Sequence, residues 1–318
     1  MEREQPTGTA RAAMRSLGVD MVTAEVVGAL EAAGIRAILL KGASVARWLY
    51  DDEAERTYVD CDLLVSPTHL AHAETLLAGL NFRRIGLESL PTDWPKHAVA
   101  LRRADGLAID LHRSLVGIGT NDATLWRELS ARTESLEIAG VEVEILDAPA
   151  RVLTIALHAA KEGARVHQVQ RDLERAVERI AFKTWQEATA LAERVEAVPA
   201  LAAGMRRARD GAVLADRLGL PTRVTVGVAL RSSPPLPLAA GIDWFLRTPD
   251  WRTKLSVARW KLIPPPAFMR AWSTLARRGT WGLAFSYAWR PLWVAWRAIP
   301  ALRAVHRARR SARNDPGG

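Results

Sequence analysis

Two aspartates interrupt an otherwise apolar stretch, YVDCDLLV, at residues 58–65. A short apolar run with β-branched residues favours a β-strand. Side chains alternate in direction along a strand, so Asp60 and Asp62 project from one face while Cys61 points into the core. Two neighbouring carboxylates repel each other, and burying them without a counter-charge destabilises the fold. The stretch therefore predicts a strand whose acidic face holds a cation or pairs with a basic side chain, for which Arg56 is a candidate.

A second acidic pattern lies in the apolar run at 107–113, which carries Asp110 and His112. The Asp-Gly pair just before this run predicts a hairpin turn. If the two acidic strands are neighbours, Asp110 joins Asp60 and Asp62 in a cluster of three carboxylates. Mg²⁺ prefers carboxylate oxygens and keeps positions open for substrate phosphates, and two ions in such a cluster stabilise a displacement at phosphorus. We predict metal binding by the three aspartates, with His112 either at the rim of the site or structural.

The residues Lys41-Gly42-Ala43-Ser44 connect a predicted strand to a predicted helix. A helix N-terminus presents unpaired N–H groups and partial positive charge, which suits a polyphosphate. Glycine lets a phosphate approach the backbone closely. We predict phosphate contacts from Lys41, Gly42 and Ser44. The alternatives are a surface lysine at 41 and a local helix cap at 44.

The order of predicted elements indicates an α+β fold. Strands are predicted at 36–40, 58–65, 81–85, 97–102 and 107–113, with a further edge strand at 141–146, and helices at 11–33, 43–50 and 68–80. Helical spacing predominates from Pro149 onward, at 151–162, 168–194, 200–218 and 238–247. We predict a small mixed sheet flanked by helices in residues 1–148 and a mainly helical domain in residues 149–318.

The run from Leu39 to Val65 resembles the uncharacterised nucleotidyltransferase family of the DNA polymerase β-like superfamily. The family pattern has Lys-Gly after a strand, an Arg before an Asp-x-Asp-Leu-Leu-Val strand, and a later Asp-Leu-His. This chain matches the pattern at Lys41-Gly42, Arg56, Asp60–Val65 and Asp110–His112. The wider superfamily has Gly-Ser or Gly-Gly at the helix start, whereas here Ala43 follows the glycine and Ser44 comes one position later.

The resemblance implies a polymerase β-type sheet and transfer of a nucleoside monophosphate from a nucleoside triphosphate, ATP among them, with release of pyrophosphate. It implies that Mg²⁺ or Mn²⁺ is held by Asp60, Asp62 and Asp110, with Asp110 also acting as general base. The donor is then expected to contact Lys41, Gly42, Ser44, Arg56 and His112. The acceptor is not identified by the sequence; small molecules, peptides, proteins and RNA ends all remain open.

Two other functions compete with this hypothesis. An Asp-x-Asp glycosyltransferase would bind a sugar-nucleotide through Mn²⁺, but it needs a doubly wound sheet with a Gly-rich first turn. A catalytically idle nucleotide-binding or membrane-peripheral accessory protein would not need the complete set of three aspartates.

Several further basic side chains are candidates for the rim of the cleft. Lys96 and His97 precede a predicted strand. His158 and Lys161 share one helix face and reach either the donor or the acceptor, or form a salt bridge with Glu162 or Asp172, which we favour.

The charge of the chain is concentrated at its C-terminal end. Residues 244–318 contain 15 Lys and Arg against 2 Asp and Glu, and 8 of the 12 tryptophans. There is a single cysteine, and residues 1–17 lack the apolar stretch of a signal peptide. We expect a cytoplasmic protein with a basic, Trp-rich tail.

Trp289, Trp293 and Trp296 are spaced as one helical face, flanked by Arg290 and Arg297, and Arg303, Arg307 and Arg310 continue the basic side. One interpretation is a helix that lies in a membrane interface. The interpretation we favour is a stripe that packs on the rest of the domain. Nucleic-acid binding by the basic tail is a third, less favoured alternative.

Overall fold

A computed structural model describes residues 8–85, 97–162, 166–222 and 250–313, together with residues 242 and 245. The strands are β1 (Ala37–Leu39), β2 (Asp60–Val65), β3 (Arg83–Arg84), β4 (Ala98–Arg102), β5 (Ala108–His112), β6 (Thr133–Ile138) and β7 (Val141–Leu146). The first helices are α1 (Gly8–Ala32), α2 (Ala43–Leu49), α3 (Leu70–Gly79) and α4 (Asp122–Ser130). They are followed by α5 (Ala148–Glu162), α6 (His167–Arg179), α7 (Phe182–Arg194), α8 (Val198–Met205), α9 (Gly211–Arg217), α10 (Trp251–Leu262), α11 (Pro266–Trp272) and α12 (Thr280–Arg313). The α+β class is confirmed. The helix predicted at 238–247 lies almost wholly outside the described residues.

The seven strands form one mixed sheet in the order β3-β4-β5-β2-β1-β7-β6. The acidic strand β2 lies inside the sheet, antiparallel to β1 and parallel to β5. Its register with β5 places Asp62 beside Asp110 and Asp60 beside Ala108. The sheet therefore brings together residues that are far apart in the sequence.

The opposite face of β2 lies in the main core. Cys61, Leu63 and Val65 are buried in one apolar cluster with residues of α1 such as Val26 and Leu30. The alternation in the sequence therefore holds, because odd-numbered side chains of β2 enter the core while Asp60 and Asp62 lie on the other side.

The prediction that residues 141–146 form an edge strand is wrong in its position. Strand β7 lies between β1, to which it is parallel, and β6, to which it is antiparallel, so β6 is the edge strand on this side of the sheet. The sequence of β6, TESLEI, shows little apolar alternation because most of its side chains are only partly buried or exposed. Helix α4 was also not predicted, although Asn121 before it is a typical N-cap and accepts a hydrogen bond from the backbone N–H of Thr124 at 2.9 Å.

Two of the predicted long helices are each split in the structure. The segment 168–194 forms α6 and α7, separated at Ile180 and Ala181, and the segment 200–218 forms α8 and α9. Neither proline nor glycine marks the first break, so hydrophobic spacing alone predicted one continuous helix there.

Helix α5 is the centre of the helical layer, with eleven buried residues in its fifteen positions. It packs closely against α8, where a Cβ atom added at Gly204 would lie 1.9 Å from the carbonyl oxygen of Ala156. Glycine is thus required at 204 by the short distance between the two helices.

Contacts among the described residues group the chain into two compact units. The first contains the sheet and helices α1 to α9, and the second contains α10 to α12. The predicted boundary at residue 148 marks the change from sheet to helices and stays a prediction. Among the described helices, none has both the length and the apolar character needed to cross a membrane.

Candidate active site

Strands β2 and β5 place three aspartates on one face of the sheet. Asp62 and Asp110 are direct neighbours across the parallel strand pair, and Asp60 is two positions before Asp62 on the same face. Single ligand atoms of Asp62, Asp110 and His112 all lie within 4.8 Å of one another. Among the residues that the structure describes, this is the group with metal-ligand spacing, and Asp60 lies outside it.

The side chains of Lys41 and His112 both contact the same carboxylate oxygen of Asp62. The Nζ atom of Lys41 and the Nε2 atom of His112 each lie 2.9 Å from Oδ1 of Asp62. Asp62 is buried, which by itself raises the pKa of its carboxyl group. The contact with His112 and the charge of Lys41 outweigh burial and hold the pKa of Asp62 well below its usual range.

The pKa values of the other two aspartates are shifted in the opposite direction, above the usual range. Burial, and after it the negative charge of Asp62, raise the pKa of Asp60 and of Asp110. Lys41 counteracts this shift in both, without reversing it. The face therefore carries three carboxyl groups with one clearly paired member, an arrangement that favours an additional cation.

Arg56 does not supply the counter-charge suggested for the aspartates. Its guanidinium group forms a buried ion pair with Asp172, with the Nη2 atom 2.9 Å from Oδ2, and its Nη1 atom donates to the carbonyl oxygen of Gly42 at 3.0 Å. The hydroxyl of Tyr50 donates to the same carboxylate at 2.7 Å, and Gln168 donates to it at 3.0 Å. The arginine thus connects helix α6 to the glycine turn.

Sequence reasoning missed Tyr50 and Gln168 of this network, and it named Asp172 only as a candidate salt-bridge partner for His158 or Lys161. The hydrogen bonds of Asp172 with Tyr50 and Arg56 join residues more than one hundred positions apart in the sequence, so local patterns contain no sign of them.

The glycine turn has a backbone conformation that favours glycine. Gly42 has φ 67°, in the left-handed region, and an added Cβ atom would lie 3.4 Å from the ring of Tyr58. The hydroxyl of Ser44 donates to the carbonyl oxygen of Lys41 at 3.1 Å and the residue is buried. Its side chain makes no hydrogen bond that caps α2, so the predicted local cap is not formed. Phosphate binding by Ser44 stays a prediction.

An open cleft lies beside the acidic face. Its lining combines basic and imidazole groups with an apolar wall and consists of Lys41, His97, His112, Leu115, Val116, Thr154, Leu157, His158 and Lys161. Burial, and after it the charge of Lys41, lower the pKa of His158 to about 3. Lys161 forms the predicted salt bridge with Glu162 at 3.0 Å. Of the two residues predicted at the rim before β4, His97 lies in the lining and Lys96 is outside the described residues.

Residues 7–210 match the model of a family described as uncharacterised nucleotidyltransferase. The chain belongs to this family. The match covers the whole sheet and helices α1 to α8, so both acidic strands, the glycine turn and the Arg56–Asp172 pair lie inside it. The family assignment that the motifs suggested is confirmed, and the protein is a transferase of the nucleotidyltransferase type.

Three solved structures show limited similarity to the chain. The antibiotic-resistance factor ANT(2'')-Ia in solution is 15% identical with a TM-score of 0.42, over 58% of this chain and 96% of that one. ANT(2")-Ia in complex with adenylyl-2"-tobramycin is 15% identical with a TM-score of 0.40, over 55% and 97%. An antigenic nucleotidyltransferase-like protein from Paracoccidioides brasiliensis is 20% identical with a TM-score of 0.36, over 62% and 94%. No curated protein sequence matches significantly.

Proposed function

We propose that this member of the uncharacterised nucleotidyltransferase family transfers a nucleoside monophosphate from a triphosphate such as ATP to an acceptor hydroxyl. The oxygen of the acceptor forms a bond to the α-phosphorus, the bond from that phosphorus to the bridging oxygen breaks, and pyrophosphate leaves. The proton of the hydroxyl passes to a carboxylate, for which we propose Asp110. The observation that carries the proposal is the register of Asp62 and Asp110 on adjacent parallel strands.

Divalent cations fit the residues on this face. The donor set of Asp62, Asp110 and His112 has ligand spacing, and Mg²⁺ and Mn²⁺ both accept carboxylate oxygens. The Nδ1 atom of His112 is buried and, among the described residues, has no hydrogen-bond partner. We propose Asp62 and Asp110 as metal ligands because of this spacing, and Asp60, which lies on the same face of β2 but outside the spaced group, as the third ligand. A bound cation would neutralise charge on the phosphates and on the leaving group.

The residues around the glycine turn would hold the triphosphate. Lys41 lies in the cleft lining and keeps one fifth of its side chain exposed, so its ammonium group can turn from Asp62 to a phosphate oxygen. Arg56 fixes the carbonyl of Gly42 from the buried side and would contribute to donor binding by positioning the turn. The acceptor would enter the cleft past His97 and His158, and its chemical class stays open among small molecules, peptides and proteins.

The alternatives are weaker for physical reasons. A glycosyltransferase of the Asp-x-Asp type needs a doubly wound parallel sheet, whereas β2 is antiparallel to β1. An idle accessory protein gains nothing from clustered carboxylates, since their repulsion raises the free energy of the folded state.

Transfer of label tests the proposed reaction. The protein is incubated with α-³²P-labelled triphosphates, Mg²⁺ and fractionated candidate acceptors, and products are analysed for an added nucleotide mass. We expect label in an acceptor with the parent protein, loss of that label with EDTA, and a loss of about 10²-fold or more with Asp62→Asn, as for removal of a group that stabilises charge in the transition state.

Asp105→Asn is the matched control, because Asp105 is an exposed turn residue outside the cleft. The Asp105→Asn variant should transfer label to the acceptor at the same rate as the parent protein. Equal labelling by Asp62→Asn and the parent, or labelling from a sugar-nucleotide instead of a triphosphate, would contradict the proposal.

A further inference from the structure

One face of helix α12 is apolar and exposed over most of its length. Six large apolar side chains follow one another at intervals of three or four residues, which places them on one side of a helix. Each is at least half exposed, and Trp281 is 88% exposed. The members of this exposed stripe are Trp281, Phe285, Trp289, Leu292, Trp296 and Ile299. Along a helix axis they extend over about 27 Å, at 1.5 Å per residue.

The stripe is not the face by which α12 packs on its own unit. Ser286, Arg290, Ala301 and Val305 on the other side of the helix are buried. The guanidinium group of Arg290 lies 4.8 Å from the ring centre of Trp272 and donates to the carbonyl oxygen of Lys261 at 2.8 Å. The helix therefore already has a packed face, and the exposed stripe is a second one.

The tryptophans of the tail divide between the two faces. Trp293 packs against Trp272 with ring centres 5.2 Å apart, whereas Trp289 and Trp296 are 50% and 69% exposed. The favoured interpretation, in which all three pack internally, is therefore wrong for Trp289 and Trp296. The structure groups these two instead with Trp281 and Phe285.

The surroundings of the stripe are strongly basic. Residues 250–313 contain 14 Lys and Arg and a single acidic residue, Asp250, and α12 itself carries seven arginines and no acidic residue. Exposed arginines occur at both ends of the stripe and beside it, at Arg278, Arg297 and Arg303. Arg303 is seven positions after Trp296, so it continues the same helical side.

We propose that α12 docks on the surface of an anionic phospholipid bilayer, lying in the plane of the interface with its exposed stripe in the headgroup and upper acyl region. Tryptophan and phenylalanine favour that zone, and arginines around an apolar face pair with lipid phosphates. The charge of the unit argues against a second copy as the occupant, because two such surfaces would bring like charges together. A nucleic acid would pair with the arginines but would leave the six apolar side chains in water.

Flotation with vesicles tests the proposal on the full chain. The parent protein is mixed with vesicles of phosphatidylcholine alone or with about one third phosphatidylglycerol, a charge density sufficient for electrostatic attraction. We expect the protein to float with the anionic vesicles only. The variant Trp281→Ser/Trp296→Ser should reduce the partition coefficient about tenfold or more, because buried apolar area drives interfacial binding.

Trp251→Ser is the matched control. Trp251 is an exposed tryptophan of the same unit, 65% exposed on α10 and outside the stripe, and its replacement should change the partition coefficient less than twofold. Circular dichroism and label transfer check that all variants are folded and active.

Several results would overturn the proposal. They are an absence of binding to anionic vesicles at 0.15 M salt, equal binding of the parent and the double variant, and equal binding to neutral and anionic vesicles. Dimerisation that depends on the stripe, without vesicle binding, would identify a second copy as the occupant. Binding of RNA that persists in the double variant, without vesicle binding, would identify an electrostatic nucleic-acid surface.

Discussion

At the scale of single residues, the three aspartates differ although they share one face. The carboxylate of Asp62 is contacted by Lys41 and His112, each at 2.9 Å. Burial and the negative charge of Asp62 raise the pKa of Asp60 and of Asp110. The strand alternation in YVDCDLLV predicted the shared face. The sequence did not predict the difference, because it depends on Lys41 and His112, which reach Asp62 from other elements.

Substitution of Asp62 and of Asp110 should change stability in opposite directions in the metal-free protein. The carboxylate of Asp62 has a pKa below its ordinary value of 3.8, so it stabilises the fold at neutral pH, and this contribution is lost as pH falls below that value. Asp110 has a raised pKa, so its ionisation destabilises the fold at pH values above that raised pKa. In EDTA at pH 7, we expect Asp62→Asn to lower the melting temperature and Asp110→Asn to raise it.

The same melting curves provide the check on this account. The gain from Asp110→Asn should shrink as pH is lowered towards the raised pKa of Asp110, because protonation removes the same charge. A lower melting temperature for Asp110→Asn at pH 7 in EDTA would mean that the aspartates do not repel each other in the folded protein.

Substitution of Gly42 should affect both the stability of the fold and the binding of the triphosphate. Gly42→Ala places an alanine at φ 67° and ψ −123°, a sparsely populated backbone conformation that costs a non-glycine residue about 1–3 kcal/mol. We also expect weaker binding of a non-hydrolysable triphosphate, because the strained backbone and the contact of the methyl group with the ring of Tyr58 would displace the turn that we propose holds the phosphates.

Gly34→Ala is the matched control for this substitution. Gly34 has φ 71° and an added Cβ atom would meet no atom of the described chain within 4 Å. Urea unfolding should show a loss of stability in both variants, and calorimetry should show weaker nucleotide binding only for Gly42→Ala. Equal nucleotide affinity in the two variants would argue against a phosphate at this turn.

At the scale of elements, hydrophobic spacing predicts where strands and helices lie, but contacts between distant residues determine how those elements are arranged. The spacing predicted β1, β2, β4 and β5 to within two residues at each end. The Asp-Gly pair predicted the turn between β4 and β5. The spacing gave no order of strands, and therefore neither the register of Asp62 with Asp110 nor the position of β6 at the edge. The Arg56–Asp172 pair joins the glycine turn to α6 across 116 positions, a separation at which no sequence period applies.

Breaking this pair should be costly. Asp172→Ala leaves the guanidinium group of Arg56 buried and without its carboxylate, a change that typically costs about 3–5 kcal/mol. Urea unfolding of Asp172→Ala should show this loss, while Asp51→Ala, which removes the exposed pair with Arg179, should leave stability close to that of the parent. An unfolding midpoint for Asp172→Ala equal to that of Asp51→Ala would mean that the network does not hold α6 to the turn.

The contact between α5 and α8 can be tested in the same way. Gly204→Ala should destabilise the protein by about 1–3 kcal/mol or more, as overpacking does, because the new methyl group meets the carbonyl of Ala156. Gly28→Ala is the control within helix α1, where an added Cβ atom would meet no described atom within 4 Å. It should be neutral or stabilising, since alanine favours a helix over glycine by about 1 kcal/mol.

At the scale of the whole molecule, the family match ends at residue 210, while the basic excess and most tryptophans lie beyond it. The acidic strands and the cleft are contained in the first compact unit, and the exposed stripe is contained in the second. Composition predicted the charge of the second unit. It did not predict which tryptophans face outward, because the contact of Trp293 with Trp272 of α11, which Trp296 lacks among the described ring contacts, is a tertiary contact.

The proposed reaction requires Asp62 and Asp110 to share a cation that binds the triphosphate. Crystals grown with Mn²⁺ and a non-hydrolysable nucleoside triphosphate analogue, measured at the manganese absorption edge, test it most directly. We expect an anomalous peak between the carboxylates of Asp62 and Asp110, with phosphate oxygens of the analogue bound to the manganese. Nucleotide bound elsewhere in the molecule, or bound beside the glycine turn with manganese on other residues, would contradict it.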